Sequence, residues 1–202
     1  MFGLKSDGTI LCKYPISNRQ WPNSIYQNQL GGEPDHVVAI DSSEFVFTCL
    51  KSDGTVLVAG SETYYDEFRN KVSELSNVVQ AVALDNSIVV RFADGSVRVL
   101  DCYEGDYDDE EVREIMEAVA KWSNIKQIYT DHTQLFALDS AGRVHYAGKL
   151  SEYSNINPDH IELWRDIVNM RVRQSYDGSY ILAWQSNGTL LTEGLTETCY
   201  DD

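Results

Sequence analysis

The chain has 202 residues, 43% of them hydrophobic, and 16 Lys and Arg stand against 32 Asp and Glu, a formal charge of −16. That length can bury a substantial core, and that charge repels phosphate backbones and anionic headgroups, so direct nucleic-acid binding and membrane-surface binding are excluded and a basic protein surface is the natural complement. No apolar run approaches the roughly 20 residues that span a bilayer, Met1 leads straight into a strand pattern without a leader, and Cys12, Cys49, Cys102 and Cys199 lack metal-ligand spacing, so the sequence predicts a cytoplasmic protein without metal, cofactor or disulfide framework.

The first element is a hairpin over 1–14, FGLKSDGTILC, in which one apolar stretch enters a tight turn at Gly8 and a second leaves it. A connector over 15–36 carries Trp21 and Tyr26. The repeat at 37–60 opens with the β-prone lead-in VVAID from Val37 and closes with the hairpin FTCLKSDGTVLVAG around Gly54. Over 61–76, Tyr65, Phe68, Val72 and Leu75 have the spacing of one apolar helix stripe. The repeat at 77–101 starts at Asn77, with lead-in VVQAVAL from Val78 and hairpin VVRFADGSVRVL around Gly95. The connector at 102–123 begins with the densest acidic run and continues as a second helix with the stripe Val112, Ile115, Met116, Val119 and Trp122. That helix starts in Asp108, Asp109, Glu110 and Glu111 and has Lys121 in its last turn, which suits its dipole.

The repeat at 124–148 starts at Asn124, with IKQIYT from Ile125 and LFALDSAGRVHYAG around Gly142. A connector at 149–168 carries a short helical segment around Ile161 to Ile167, after Pro158. The last repeat, 169–194, starts at Asn169, with MRVRQS from Met170 and ILAWQSNGTLLTEG around Gly188, and a tail occupies 195–202. The five turn glycines lie 46, 41, 47 and 46 residues apart, so one period builds the whole chain as a single repeat domain.

Each complete unit reads as three antiparallel strands: a lead-in, then a hairpin. Asp53-Gly54, Asp94-Gly95 and Asn187-Gly188 supply the positive φ that so tight a connection needs. Two residues after the glycines stand Ile10, Val56, Val97, Val144 and Leu190, sent to one face by strand alternation. Two residues before the lead-in Asn stand Leu75, Trp122 and Ile167, and Trp184 shares its hairpin position with Leu4, Leu50 and Leu138, so both tryptophans are expected in the core.

These residues resemble the regulator-of-chromosome-condensation type of β-propeller repeat, whose unit runs roughly as an aliphatic lead-in, a turn, and ALxxDGxVxxWG. Cys49 to Gly60, CLKSDGTVLVAG, and Ala137 to Gly148, ALDSAGRVHYAG, carry the likeness most fully. The family's Trp before the closing Gly is here Ala59, Ala147 or Glu193. The resemblance implies an all-β repeat fold, a partial or small propeller of about five blades with three to four antiparallel strands each and short helices in the connectors. It also implies recognition through surface loops. Four complete units and one hairpin without its lead-in allow a compact five-bladed ring, an open arc whose ends pair with another copy, or part of a longer propeller.

The four histidines lie in unrelated settings, with no nucleophile elbow, phosphate loop or metal spacing around them, so no catalytic residue is assigned and the chain is read as a non-enzyme. Candidate partner-binding residues are the aromatics outside the repeated apolar positions, Trp21, Tyr26, Tyr64, Tyr103, Tyr107 and Tyr153, together with the acidic group Asp106, Asp108, Asp109, Glu110 and Glu111. The expected function is a scaffold that binds a basic protein through these connector loops. Two other readings stand beside it: an acidic mimic that occupies the groove of a nucleic-acid-binding enzyme, and a structural unit that self-assembles through unpaired end strands.

Overall fold

The computed structural model describes residues 2–12, 35–43, 45–60, 65–101, 110–131, 133–148, 156–175 and 178–194. Five sheets follow one another along the chain. The first has two strands, β1 (Phe2–Leu4) and β2 (Ile10–Cys12). The second holds β3 (Val37–Ser42), β4 (Val46–Lys51) and β5 (Val56–Gly60), and the third β6 (Val78–Leu84), β7 (Ser87–Phe92) and β8 (Val97–Asp101). The fourth holds β9 (Ile125–Thr130), β10 (Leu135–Asp139) and β11 (Val144–Ala147), and the fifth β12 (Ile167–Ser175), β13 (Gly178–Gln185) and β14 (Leu190–Glu193). Every pairing is antiparallel between chain neighbours. Helices α1 (Tyr65–Ser73), α2 (Glu110–Val119) and α3 (Pro158–Glu162) lie in the connectors, and none is long and apolar enough to cross a membrane.

The middle strand of each unit explains how the sheets stack. In β4, Phe47 and Cys49 point to the preceding unit while Val46 and Leu50 point to the following one, so both faces are buried, with Thr48 between them at 1% exposure. β10, LFALD, is buried at every position for the same reason. The core is accordingly divided into four apolar slabs, one between each pair of successive sheets. Ile88 and Ile125, at 0% and 2% exposure, each contribute about 1.5–3 kcal/mol by leaving water. α1 packs on β5 and β8, and α2 on β8 and β11, filling the outer gap between neighbouring edge strands.

The lead-in strands β3, β6, β9 and β12 lie side by side along the inner wall. Between them, side chains take the place of a neighbouring strand. The Gln80 side-chain amide donates to Ile128 O at 2.6 Å and accepts from Ile128 N at 2.9 Å, and Asp41 accepts from Ala83 N at 2.9 Å. Asp131, buried in the loop after β9, accepts from Thr133 and Gln134 amides and from the Ser179 hydroxyl of the next unit. Inner edges that would otherwise present bare peptide groups are covered.

The architecture is a partial β-propeller of the expected class, with corrections in its last unit. Each lead-in is entered through a residue in the left-handed region: His36, Asn77, Asn124 and Asp166 at φ +55, +60, +56 and +60. Asp166, not Asn169, is therefore the equivalent of Asn77 and Asn124. β12 starts at Ile167, and the last lead-in and the strand that it pairs with are longer than in the other units, at nine and eight residues. Ile167 consequently begins a strand instead of ending a helix, α3 stops at Glu162, and Trp164 takes the position of Leu75 and Trp122.

Further differences follow from packing. Met116 points outward at 44% exposure, so it is not part of the α2 stripe, and Lys121 lies beyond that helix. Trp122 is half-buried against His145, with ring centroids 5.7 Å apart. Trp184 is half-buried as well: among the described residues no sheet covers the outer face of the fifth, Leu190 beside it is 49% exposed, and a Cβ on Gly188 would meet nothing within 4 Å. Among the described residues the first sheet does not pack on the fifth, so the described sheets form an open arc.

Candidate protein-interaction face

One face of the arc gathers the hairpin turns and the starts of the inner strands. Gly8, Gly54, Gly95, Gly142 and Gly188 all have positive φ. The first four press against the entry of the next unit: a Cβ on Gly54 would lie 3.1 Å from Asn77 N, and one on Gly142 would lie 2.9 Å from Ile167 N. Val78, Ile125 and Ile167 donate their amides to the carbonyls of Gly54, Gly95 and Gly142 at 3.1, 2.9 and 3.0 Å. Within each unit, Ser52, Ala93, Ser140 and Ser186 donate to the left-handed residues His36, Asn77, Asn124 and Asp166. The backbone of this face is thus the same from unit to unit, and its side chains are where the units differ.

The turn carboxylates are held as anions. Asp53 accepts from Thr55 Oγ1 at 2.6 Å and Thr55 N at 3.0 Å, Asp94 accepts from Ser96 Oγ at 2.6 Å and Ser96 N at 2.9 Å, and Asp7 accepts from Thr9 N at 2.9 Å. Hydrogen bonds to the ionised form favour it. The Thr9 amide holds the Asp7 carboxyl below its ordinary value, the Thr55 hydroxyl that of Asp53, and the Ser96 hydroxyl that of Asp94. Asp35 is held down by the Lys51 ammonium, 2.6 Å away, and Lys51 is correspondingly held up.

At equivalent places the units carry different chemistry. In the third, Arg98 lies 5.4 Å from the centroid of the Phe92 ring, beside a cleft of about 350 Å³ lined by Ser76, Asn77, Phe92, Asp94, Ser96 and Arg98. In the fourth, Asp139 replaces Phe92 and is sealed in at 1% side-chain exposure. It accepts from the Ala141 and Arg143 amides at 2.9 Å, from Arg143 Nε at 2.7 Å, and lies 3.2 Å from His145 Nε2. Burial pushes its carboxyl up, but the Arg143 amide, His145, the Arg143 guanidinium and the Ala141 amide together outweigh burial and leave it below its ordinary value.

Sequence reasoning missed the inner-strand bulges on this face. Pairing shifts by one residue early in β3, β6 and β12 and between Leu138 and Asp139 opposite the start of β9. The skipped residues are Val38, Val79, Val168 and Lys126, all exposed, the valines at 54%, 44% and 46%. A bulge turns one side chain out of the alternation, and bulges are over-represented at sheet edges and beside functional sites. The signal was present as consecutive β-branched residues, Val37-Val38, Val78-Val79 and Ile167-Val168, which a strictly alternating strand would not need.

Of the expected binding residues, Trp21, Tyr26, Tyr64, Tyr103, Asp106, Tyr107, Asp108, Asp109 and Tyr153 lie outside the described residues. Glu110 opens α2, exposed and 3.9 Å from Arg113, and Glu111 follows it in the helix, its side chain outside the description. Among the described residues no cluster of His, Cys, Asp and Glu could hold a metal ion.

No protein-family model matches the sequence, and no curated protein matches it. Solved structures share the fold. Prp20p of Saccharomyces cerevisiae, described with its binding properties to Gsp1p and histones, superposes with a TM-score of 0.54 at 14% identity over 79% of this chain and 44% of its own. Yeast RCC1 (Prp20) with Kap60 bound gives 0.53 at 13% identity, again over 79% and 44%. Human WBSCR16 gives 0.50 at 14% identity over 78% and 47%. The chain spans less than half the length of each, and its fold is that of a partial propeller of the chromosome-condensation-regulator type.

Proposed function

We propose that this chain is a non-enzymatic protein-interaction module that binds a basic protein partner across the turn face of its arc. The observation that carries this reading is that exposed bulge valines and turn carboxylates share the turn face: Val38 follows the Val37 on which the Asp7–Gly8 turn presses, Val79 follows the Val78 beside the Asp53–Gly54 turn, and Val168 follows the Ile167 beside Gly142. Exposed apolar side chains beside charge suit a protein interface, the charge steering the approach and the apolar contacts holding the complex. The connectors bearing Trp21, Tyr26, Tyr64, Tyr103, Tyr107 and Tyr153, and the acidic run through Glu111, extend the same surface in this proposal. Basic protein partners are in keeping with the histones named for the yeast neighbour.

Purified core histones are a suitable basic probe, with serum albumin as the acidic control. Binding to histones is expected, weakening as salt rises, and substitution of Val38, Val79 and Val168 by Ser is expected to weaken it at least tenfold. Because those substitutions leave the net charge at −16, their effect separates a specific face from bulk acidity. Absence of histone binding would sink the proposal. Steep salt dependence with no effect of the valine substitutions would favour the acidic mimic instead.

A further inference from the structure

We infer that the turn of the fourth unit is a carboxylate-binding site, in which the Arg143 guanidinium, held by buried Asp139, receives an Asp or Glu side chain of the protein partner; this rests on the reading of the turn face as a protein-binding surface. The fourth turn differs from the others in where its cap comes from. In the others, the residue before the glycine caps the turn from the surface: Asp7, Asp53, Asp94 and Asn187 accept from the amides of Thr9, Thr55, Ser96 and Thr189 at 2.9, 3.0, 2.9 and 2.9 Å. Ala141 has no side-chain oxygen for this. Asp139, three residues before the glycine, takes over, its Oδ1 accepting from Ala141 N and Arg143 N at 2.9 Å each. The cap has thereby moved from an exposed position to one with 1% side-chain exposure, where the other units have Lys5, Lys51, Phe92 and Gln185, all exposed or half-buried.

Moving the carboxylate inward inverts the charge that this turn shows to a partner. Asp139 Oδ2 accepts from Arg143 Nε at 2.7 Å and lies 3.2 Å from His145 Nε2. Arg143 stands where the other turns have Thr9, Thr55, Ser96 and Thr189, and 57% of its side chain is exposed. Among the described residues only its Nε has a side-chain acceptor, so Nη1 and Nη2 are left as the fork that matches a carboxylate in two parallel bonds. A guanidinium already fixed at one nitrogen has less rotamer freedom to lose on binding. A buried carboxylate where Phe92 also fits is a costly way to gain stability alone, and the orientation of Arg143 supplies a reason for it. The same unit has exposed Lys126 where the other lead-in bulges have Val38, Val79 and Val168. The partner that fits is basic overall and places one carboxylate opposite the fourth unit. A phosphate fits the fork as well, but its second charge is opposed by the −16 of the chain.

NMR of the isotope-labelled full chain tests this, with the Arg143 Nε resonance assigned as the one absent in Arg143→Lys. The probes are capped peptides of sequence Lys-Ala-Glu-Ala-Lys and Lys-Ala-Gln-Ala-Lys, and a third with phosphoserine at the centre. Bulk attraction to a chain of charge −16 favours the glutamine peptide, which is the more positive, whereas the site favours the glutamate peptide. The glutamate peptide should shift the Arg143 Nε resonance and bind at least tenfold tighter than the glutamine peptide. Arg143→Gln should abolish that preference, and Arg143→Lys, which keeps the charge without the fork, should lose most of it. Thermal melts check that both variants fold, and the wild-type comparison stands without them. Equal or tighter binding of the glutamine peptide, an unmoved Nε resonance, full preference in Arg143→Lys, or tightest binding of the phosphoserine peptide would overturn the inference. Histone binding without a glutamate preference would overturn it alone. A glutamate preference without histone binding would support the site and sink only the choice of a basic partner.

Discussion

Ile125 donates its backbone amide to the carbonyl of Gly95 at 2.9 Å, across the boundary between the third and fourth units. The same bond joins Val78 to Gly54 and Ile167 to Gly142. Both partners are main-chain atoms, so the glycine serves through its positive φ and through the space that a Cβ would fill. On Gly95 that Cβ would stand 3.1 Å from Asn124 Cα.

Gly142 and Gly188 separate the two reasons for glycine. Both have positive φ, +75 and +88, but a Cβ on Gly142 meets backbone at 2.9 Å and one on Gly188 meets nothing. Gly188→Ala should cost about 1–2 kcal/mol for the left-handed conformation alone. Gly142→Ala should cost about 1–3 kcal/mol more for crowding. Urea denaturation of the two variants measures the difference, and equal losses would show that the junction yields to the added methyl.

Asp139 ties the fourth turn to charge. Its side chain is 1% exposed and carries four hydrogen-bonding contacts, so Asp139→Asn should lower stability at neutral pH by about 1.5–3 kcal/mol. The folded carboxyl lies below the ordinary 3.8. The unfolded chain therefore takes up its proton first as pH falls, so the stabilisation is complete above about pH 4 and is lost as pH drops through the folded value. Denaturation at pH 7 and pH 3 should show a smaller acid loss in Asp139→Asn than in wild type.

Gln80 stands in for a strand between β6 and β9. Gln80→Leu would leave both the N–H and the C=O of Ile128 without their partner, a loss of about 2 kcal/mol. Hydrogen exchange should show the Ile128 amide released in the variant, while the Ile125 amide, bonded to Gly95, keeps its protection.

Cys49 is fully buried, and burial pushes its thiol up to about 12. The thiolate is the reactive form. At pH 8 iodoacetamide should leave Cys49 unmodified in the folded chain and alkylate it in urea, as read from the mass of its peptide. Rapid labelling without denaturant would contradict the packing of the first two units.

The parts of the fold legible in the sequence are those fixed by chain-local physics. A turn glycine between apolar strands of even spacing marks every hairpin from Gly8 to Gly188, four of them as Asp-Gly or Asn-Gly and the fourth in chain order as Ala141-Gly142, because positive φ and a two-residue period leave a direct trace. The lead-in of the last unit was misplaced because Asn169 imitates Asn77 while Asp166 does the work, and the left-handed region accepts Asp, Asn and His alike. Analogy with Leu50 and Leu138 places Trp184 in the core, but burial at that position is a property of the following unit, which the residue itself does not encode. Of the proposed interaction surface, the turn glycines are legible in the sequence and the bulge valines are not, since a register shift appears only when two strands are paired. The connector aromatics carry no repeated spacing against which to be placed.

The glycine-to-amide junction has a consequence for how such a chain changes over generations. A contact made by main-chain atoms and one missing side chain does not have to be reinvented when a unit is copied, because the duplicate arrives with both halves of its seam. The number of units is then open to gain and loss by simple duplication or deletion, while the exposed positions between seams drift independently. Selection can revise the outer lettering of one unit without renegotiating its fit with the next.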